Sequence, residues 1–273
     1  MLTCSHAFFP ITDKRSWAQP GRPLFDQRPL SQRLGVAAIL RVLTHSHASS
    51  LTSLNLCDRQ LGDEGAAAVA RACEGLSSLS RLLLSRCGMR AIGAQQVGEL
   101  LACHTSITAL HLEGNSLARE GARCLLGALH RGCKLRLLDL RDTELACGGA
   151  GAVASFLCSR GGSNLSSLNL SNNQIGPEGG RALAGALAAN ASLVSLSVEG
   201  NQISSEGLLL LGSALQRNRT GQLQYLACDA FSLLEPTTSL DLSNCCLGLP
   251  ATTALVAALS RNTRLRKLSL ARR

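Results

Sequence analysis

Aromatic residues are scarce in this chain: one Trp, one Tyr and five Phe make up 3% of 273 residues. Leucine and alanine must therefore fill the core, and a tight interface built on large ring anchors has little to draw on. No run of eighteen apolar residues occurs, so no membrane-spanning helix is expected. The phosphate-cradling pattern G-x-x-x-x-G-K-[ST] is missing, and Ser, His and Asp are scattered without an elbow motif. His45 and His47 have no nearby Cys or acid to complete a metal-ligand set. The expected catalytic, cofactor and metal sites are accordingly none. Basic residues outnumber acidic ones, 27 to 18, for a net charge of +9. No basic strip interleaved with aromatics accompanies that excess, which argues against nucleic acid. The twelve cysteines include no C-x-x-C pair, and the first residues do not read as a secretory signal. A reducing, cytoplasmic location is the expectation, with an organellar transit segment left open for the basic first thirty residues.

What the chain does have is internal repetition. Units begin at Leu51, Leu79, Ile107, Leu135, Leu165 and Leu193, then at Thr237 and Leu265, most of them 28 residues apart. Counted from the first residue of each unit, positions 1, 4, 6 and 11 are apolar, as in Leu165, Leu168, Leu170 and Ile175. Alternation between positions 4 and 6 sends both side chains to one face of a short strand. Position 9 holds Asn115, Asn173 and Asn201, with Cys87 and Cys245 in two further copies. A polar side chain there can bond backbone groups as the buried chain turns; Arg59 and Thr143 mark turns expected to be less regular. The second half of each unit reads as a helix. Glu64, Glu120, Glu178 and Glu206 stand near its start and Pro177 in a first turn. Val69 and Cys73, Leu125 and Leu129, and Leu183 and Leu187 form the inward stripe. Asn190, Asn218 and Asn262 follow helices, where a left-handed residue can end them. Cys73, Cys87, Cys124 and Cys245 fall on repeat positions and read as buried thiols acting as small hydrophobes.

The stretch LSSLNLSNNQIGPEGGRALAGALAANAS, residues 165–192, resembles the ribonuclease-inhibitor-like class of leucine-rich repeats. That class includes the repeat domains of NOD-like receptors and of the Ran GTPase-activating protein. The resemblance covers about residues 34–273. It implies an α/β solenoid, a horseshoe with a parallel β-sheet on the concave face and α-helices on the convex face. One unit buries its apolar side chains only against its neighbours, so stability is collective.

Residues 1–30 hold four of the seven prolines and no periodicity, and are expected to be a disordered tail. Residues 31–50 include LGVAAILRVL, an expected N-terminal capping helix. Residues 51–273 form the array, with an irregular insert at 223–236 where a strand-like segment is not followed by its helix. Tyr225, Asp229 and Phe231 of that insert are candidate partner anchors if exposed, or a plug over the missing helix if buried.

Positions 3, 5, 7 and 8 line the concave side. In units two to four they supply a mixed-charge patch: Arg81, Arg86, His111, Glu113, Asp139, Arg141 and Asp142. Units five to seven are blander, with Asn169, Ser171, Ser197, Glu199, Asp241 and Ser243. The expected function is a non-enzymatic protein–protein interaction scaffold with an unidentified protein partner. Changing Asp139 or Arg141 is expected to weaken that partner while leaving stability nearly untouched. The alternative is a GTPase activator resembling the Ran-directed one, with Arg59 or Arg86 as its arginine.

Overall fold

The computed structural model describes residues 50–129, 133–159, 162–218, 220–233, 238–242, 248–263 and 265–269. The expected tail and capping helix, 1–30 and 31–50, lie outside these residues apart from Ser50.

Strands and helices alternate along the chain. The order is β1 (Ser53–Asn55), α1 (Gly62–Cys73), β2 (Arg81–Leu83), α2 (Ala91–Cys103), β3 (Ala109–His111), α3 (Ala118–Ala128), β4 (Leu137–Asp139) and α4 (Ala146–Leu157). There follow β5 (Ser167–Asn169), α5 (Pro177–Leu187), β6 (Ser195–Ser197), α6 (Ser205–Arg217), β7 (Tyr225–Cys228), β8 (Phe231–Leu233), β9 (Ser239–Asp241), α7 (Leu249–Leu259) and β10 (Lys267–Ser269). Strands β1 to β7 pair in parallel, each with the next, and each helix packs against the following one. This is the α/β leucine-rich-repeat solenoid, sheet on one side and helices on the other.

The pairing register copies the repeat register. Leu54, Leu82, Leu110, Leu138, Leu168, Leu196 and Leu226 stand opposite one another along the ribbon, and every one has 0% exposure. Each such burial is worth roughly 1.5–3 kcal/mol. One continuous apolar cluster runs from Leu51 to Ala258.

The turns after the strands are held by side chains. Asn173 Oδ1 accepts from the Thr143 and Leu145 amides at 2.9 and 3.2 Å, and its Nδ2 donates to Leu140 and Leu170 carbonyls at 2.7 and 3.0 Å. Asn115 and Asn201 repeat the pattern two strands and one strand away. Where Asn is replaced the bond survives: Cys87 Sγ reaches the Leu56 carbonyl at 3.1 Å and Thr143 Oγ1 the Leu140 carbonyl at 2.6 Å. Thr143 thus makes its turn regular, against the sequence expectation, because a hydroxyl supplies the donor that the amide would.

The helix ends differ from expectation. Asn218 closes α6 with φ −74° and ψ 90°, and neither it nor Asn190 is among the residues of positive φ. A side-chain amide, not a left-handed backbone, ends these helices: Asn218 Nδ2 donates to the Leu187 and Asn190 carbonyls at 2.6 and 2.7 Å.

The ribbon changes at the 223–236 segment. β7 joins as the seventh parallel strand, Tyr225 opposite Ser195. The chain then reverses, and β8 pairs antiparallel with β7, Cys228 opposite Phe231 and Leu226 opposite Leu233. Among the described residues β9 pairs only with β10, in a separate two-stranded sheet. The sequence marked residues 223–236 as an irregular insert in a parallel sheet; a hairpin occupies the place of the next parallel strand. The helical layer does continue, since α7 packs on α6.

Candidate interaction face

The concave residues form two layers on the sheet. Position 5 gives the floor: Leu83, His111, Asp139, Asn169, Ser197 and Ala227 stand opposite one another on β2 to β7, all buried. Positions 7 and 8 rise above it as each strand ends and carry the charges.

Those charges join into one line across four units. Arg86 Nε lies 2.6 Å from Asp58 Oδ1, Arg86 Nη1 lies 3.7 Å from Glu113 Oε1, and Arg141 Nη2 lies 2.6 Å from Glu113 Oε2. The order Asp58, Arg86, Glu113, Arg141 alternates in sign. Its exposure falls inward, from 63% and 57% at the Asp58 and Arg86 side chains to 19% and 23% at Glu113 and Arg141. The hydrogen bond that Arg86 donates to Asp58, reinforced by the carboxylate's charge, raises the Arg86 pKa above its ordinary value. The sequence patch omitted Asp58. Repeat arithmetic could have found it, because Asp58 and Arg86 are 28 residues apart at the same position and so must be neighbours.

Beneath this line, Asp139 has 0% exposure. Its Oδ1 accepts from the Arg141 amide at 3.0 Å, while Oδ2 has no hydrogen-bond partner among the described residues and stands 3.8 Å from His111 Nδ1. His111 itself is 8% exposed. The expectation that Asp139 can be changed without affecting stability is therefore corrected: the carboxylate is part of the floor and holds backbone. Arg81 and Asp142 are exposed, as expected, so the seven patch residues divide into surface charges and a buried Asp139–His111 pair.

The blander half is also tightly satisfied. Ser171 and Ser197 hydroxyls meet at 2.8 Å and Asn169 Oδ1 accepts from the Ser171 amide at 3.0 Å. Ser243 and the side chain of Asp241 lie outside the described residues.

The insert anchors are corrected as well. Tyr225 is 2% and Phe231 4% exposed, so neither ring is presented to a partner. The reason is the hairpin, whose two strands cover the core edge left without a helix. Asp229 is exposed at its tip and accepts a hydrogen bond from the Gly200 amide, tying the hairpin to the preceding unit.

Cysteine placement is mixed. Cys73 and Cys87 are buried, and loss of solvent pushes both thiols up to about 12. Cys124, expected to be buried, is half-buried, because its position lies on the flank of α3; Cys245 lies outside the described residues. Cys103 and Cys158 are exposed. All nine described cysteines are free, no described group of three or more His, Cys, Asp and Glu could hold a metal, and no described helix is long and apolar enough to cross a membrane.

Comparison with a protein-family model agrees with the repeat architecture. A family model described as Leucine Rich repeat matches residues 47–70, 163–184 and 189–212. The chain is 32% identical over 140 residues to NACHT, LRR and PYD domains-containing protein 3 of Homo sapiens, covering 50% of this chain and 13% of that protein. It is 34% identical over 143 residues to the ribonuclease inhibitor of Sus scrofa, covering 50% of this chain and 30% of the inhibitor. The matched region thus spans less than a third of either relative. Among solved structures, leiomodin-1 actin-binding site 2 superposes with a TM-score of 0.43 at 16% identity, over 68% of this chain and 90% of that one. The tropomodulin C-terminal domain of Caenorhabditis elegans gives 0.42 at 17% identity, over 68% and 93%.

Proposed function

We propose that this leucine-rich-repeat chain, similar to the ribonuclease-inhibitor-like class, is a non-enzymatic scaffold that binds a protein partner on its concave charged line. The observation that carries this reading is the alternating row Asp58, Arg86, Glu113 and Arg141, laid across four adjacent strands on a buried floor. A row of fixed, alternating charge selects a partner by pattern rather than by net charge, giving specificity more than raw affinity. The buried sheet beneath supplies rigidity, so little order has to be created on binding. Free, repeat-placed cysteines fit a reducing compartment, and the reading sets the protein in the cytoplasm.

The test is quantitative capture of partners from the native cell with wild-type chain and with Arg86→Gln plus Arg141→Gln. A specific partner is expected to be lost from the double variant while the melting temperature stays close to wild type. Identical partner sets would remove the concave line from consideration. The GTPase-activator alternative predicts faster GTP hydrolysis in a panel of small GTPases; the scaffold reading predicts none.

A further inference from the structure

The twenty-sixth position of the repeat holds Asn190, Asn218 and Asn262, and in another unit His104. The asparagines are fully used. Asn190 donates to the Leu157 carbonyl at 3.0 Å and accepts from the Ser192 and Leu193 amides at 3.1 and 2.9 Å. Asn218 donates to two carbonyls and accepts from the Thr220 and Gly221 amides at 3.1 and 2.8 Å.

His104 does not copy this. It closes α2 with 8% exposure, and its Nδ1 lies 3.2 Å from Ser106 Oγ. The single Ser106 hydroxyl proton goes to the Leu79 carbonyl at 2.8 Å, so towards His104 that oxygen can only accept. In the neutral imidazole the network therefore puts the proton on Nδ1 and leaves Nε2 as a lone-pair acceptor. Nε2 has no partner. An unpaired buried acceptor costs about 1–3 kcal/mol, which an asparagine at this position avoids.

His104 forms part of the wall of a cleft of about 430 Å³ between the C-terminal ends of α1 and α2, with Arg71, Glu74, Glu99, Leu100 and Cys103. Glu99 accepts from the Gln95 and Gln96 side-chain Nε2 groups, and Glu74 makes no ion pair among the described residues. Among the described residues the cleft thus sets two carboxylates and the unpaired imidazole nitrogen of its wall against one cation, Arg71. Nε2 is closed to solvent, so binding there requires the exposed side chains at the mouth, Arg71, Glu74, Glu99 and Cys103, to change rotamer and admit the donor.

From this excess of acceptors we propose that the cleft binds an ammonium or guanidinium group, which donates to His104 Nε2 and pairs with Glu74. The group is carried by a lysine or arginine of a protein partner or by a free amine. The cleft lies between helices, away from the concave sheet, and does not depend on that sheet binding anything.

The experiment uses the full chain with ¹⁵N-labelled histidine, following His104 Nε2 while n-butylammonium, methylguanidinium, or a glycine–alanine peptide bearing one arginine is added. Saturable movement of the Nε2 resonance is expected with the cations and not with neutral n-butanol. Tighter binding of the peptide assigns the group to a protein; equal binding assigns it to a free amine. Glu74→Gln is expected to weaken binding roughly tenfold, the worth of one charge-assisted hydrogen bond. His104→Asn restores the side chain used in three other units, so it is expected to keep or raise the melting temperature while abolishing the response of the Leu100 and Cys103 amides. The proposal fails if n-butanol moves Nε2 equally, or if His104→Asn responds as wild type does. It fails also if Nε2 stays still because a fixed water holds it.

Discussion

A single asparagine at position 9 does the work of a turn. Asn173 is fully buried, and each of its hydrogen-bonding atoms reaches backbone, two amides in the preceding unit and carbonyls in both. Removing it strands those groups away from water. Asn173→Ala is expected to cost roughly 2–4 kcal/mol in urea unfolding, whereas Asn172→Gly next door, exposed and at φ 57°, should change stability by less than about 0.5 kcal/mol. Equal effects at the two sites would mean that the amide network is not what holds the turn. The thiols give a second residue-scale test. Burial raises Cys73 and Cys87 from 9.0 to about 12, so between those values the unfolded chain has lost a proton that the folded chain keeps. Their contribution to stability is whole below pH 9 and drains away as pH rises toward 12. Cys73→Ala should flatten that alkaline loss relative to wild type. Iodoacetamide under native conditions should label Cys103 and Cys158 and spare Cys73 and Cys87, as peptide mass mapping will report. Asn173 and Cys87 were legible in the sequence because the repeat puts them where backbone must be satisfied. His104 was not: a lone histidine after a helix says nothing until its two nitrogens are accounted for separately.

Each element begins with backbone that repeats as faithfully as the leucines do. Position 8 is left-handed in six successive units, at Asp58, Arg86, Gly114, Asp142, Asn172 and Gly200. Position 12, where helices start, is left-handed at Gly62, Ala118 and Ala146, with φ 60°, 53° and 49°. Glycine adopts this conformation freely, but alanine is strained by roughly 1–2 kcal/mol. Ala146→Gly should therefore stabilise by about 0.5–1 kcal/mol after the extra freedom of glycine in the unfolded chain is subtracted. A rise of roughly 1–3 °C in melting temperature is the readout, and a fall would show that α4 gains more from alanine as a helix former. Side-chain capping is sparse: Ser204 caps α6, and the start of α2 is served from outside, Asp63 of α1 accepting from the Arg90 and Gly93 amides at 2.7 and 2.8 Å. Sequence patterning located the helices through their apolar stripe and first-turn glutamates. It did not locate this cap, because Asp63 sits in a neighbouring unit and no local window contains both partners.

At the scale of the molecule, helices and strands continue by different rules. Among the described residues the helical layer runs from α1 to α7, while the main sheet stops at β8 and β9–β10 pair in a sheet of their own. The missing helix after β7 was visible in the sequence, because only fourteen residues separate Leu223 from Thr237. The reversal of β8 was not, since a three-residue strand carries no directional mark. With no sheet hydrogen bonds among the described residues to the main ribbon, the last unit is held through α6 against α7 and by apolar contact of Leu240 and Leu242 with the common core. α7 backbone lies close over Gly212 of α6, where an added Cβ would come 2.7 Å from the Ala254 amide nitrogen and 2.9 Å from its Cα. Backbone cannot yield there as a flexible side chain would. Gly212→Ala should therefore force α7 away and speed hydrogen exchange in α7 and β10, leaving β1 to β5 as protected as in wild type. Uniform loss of protection along the whole chain would instead mean that the seven parallel strands and the final unit open together, as one cooperative array.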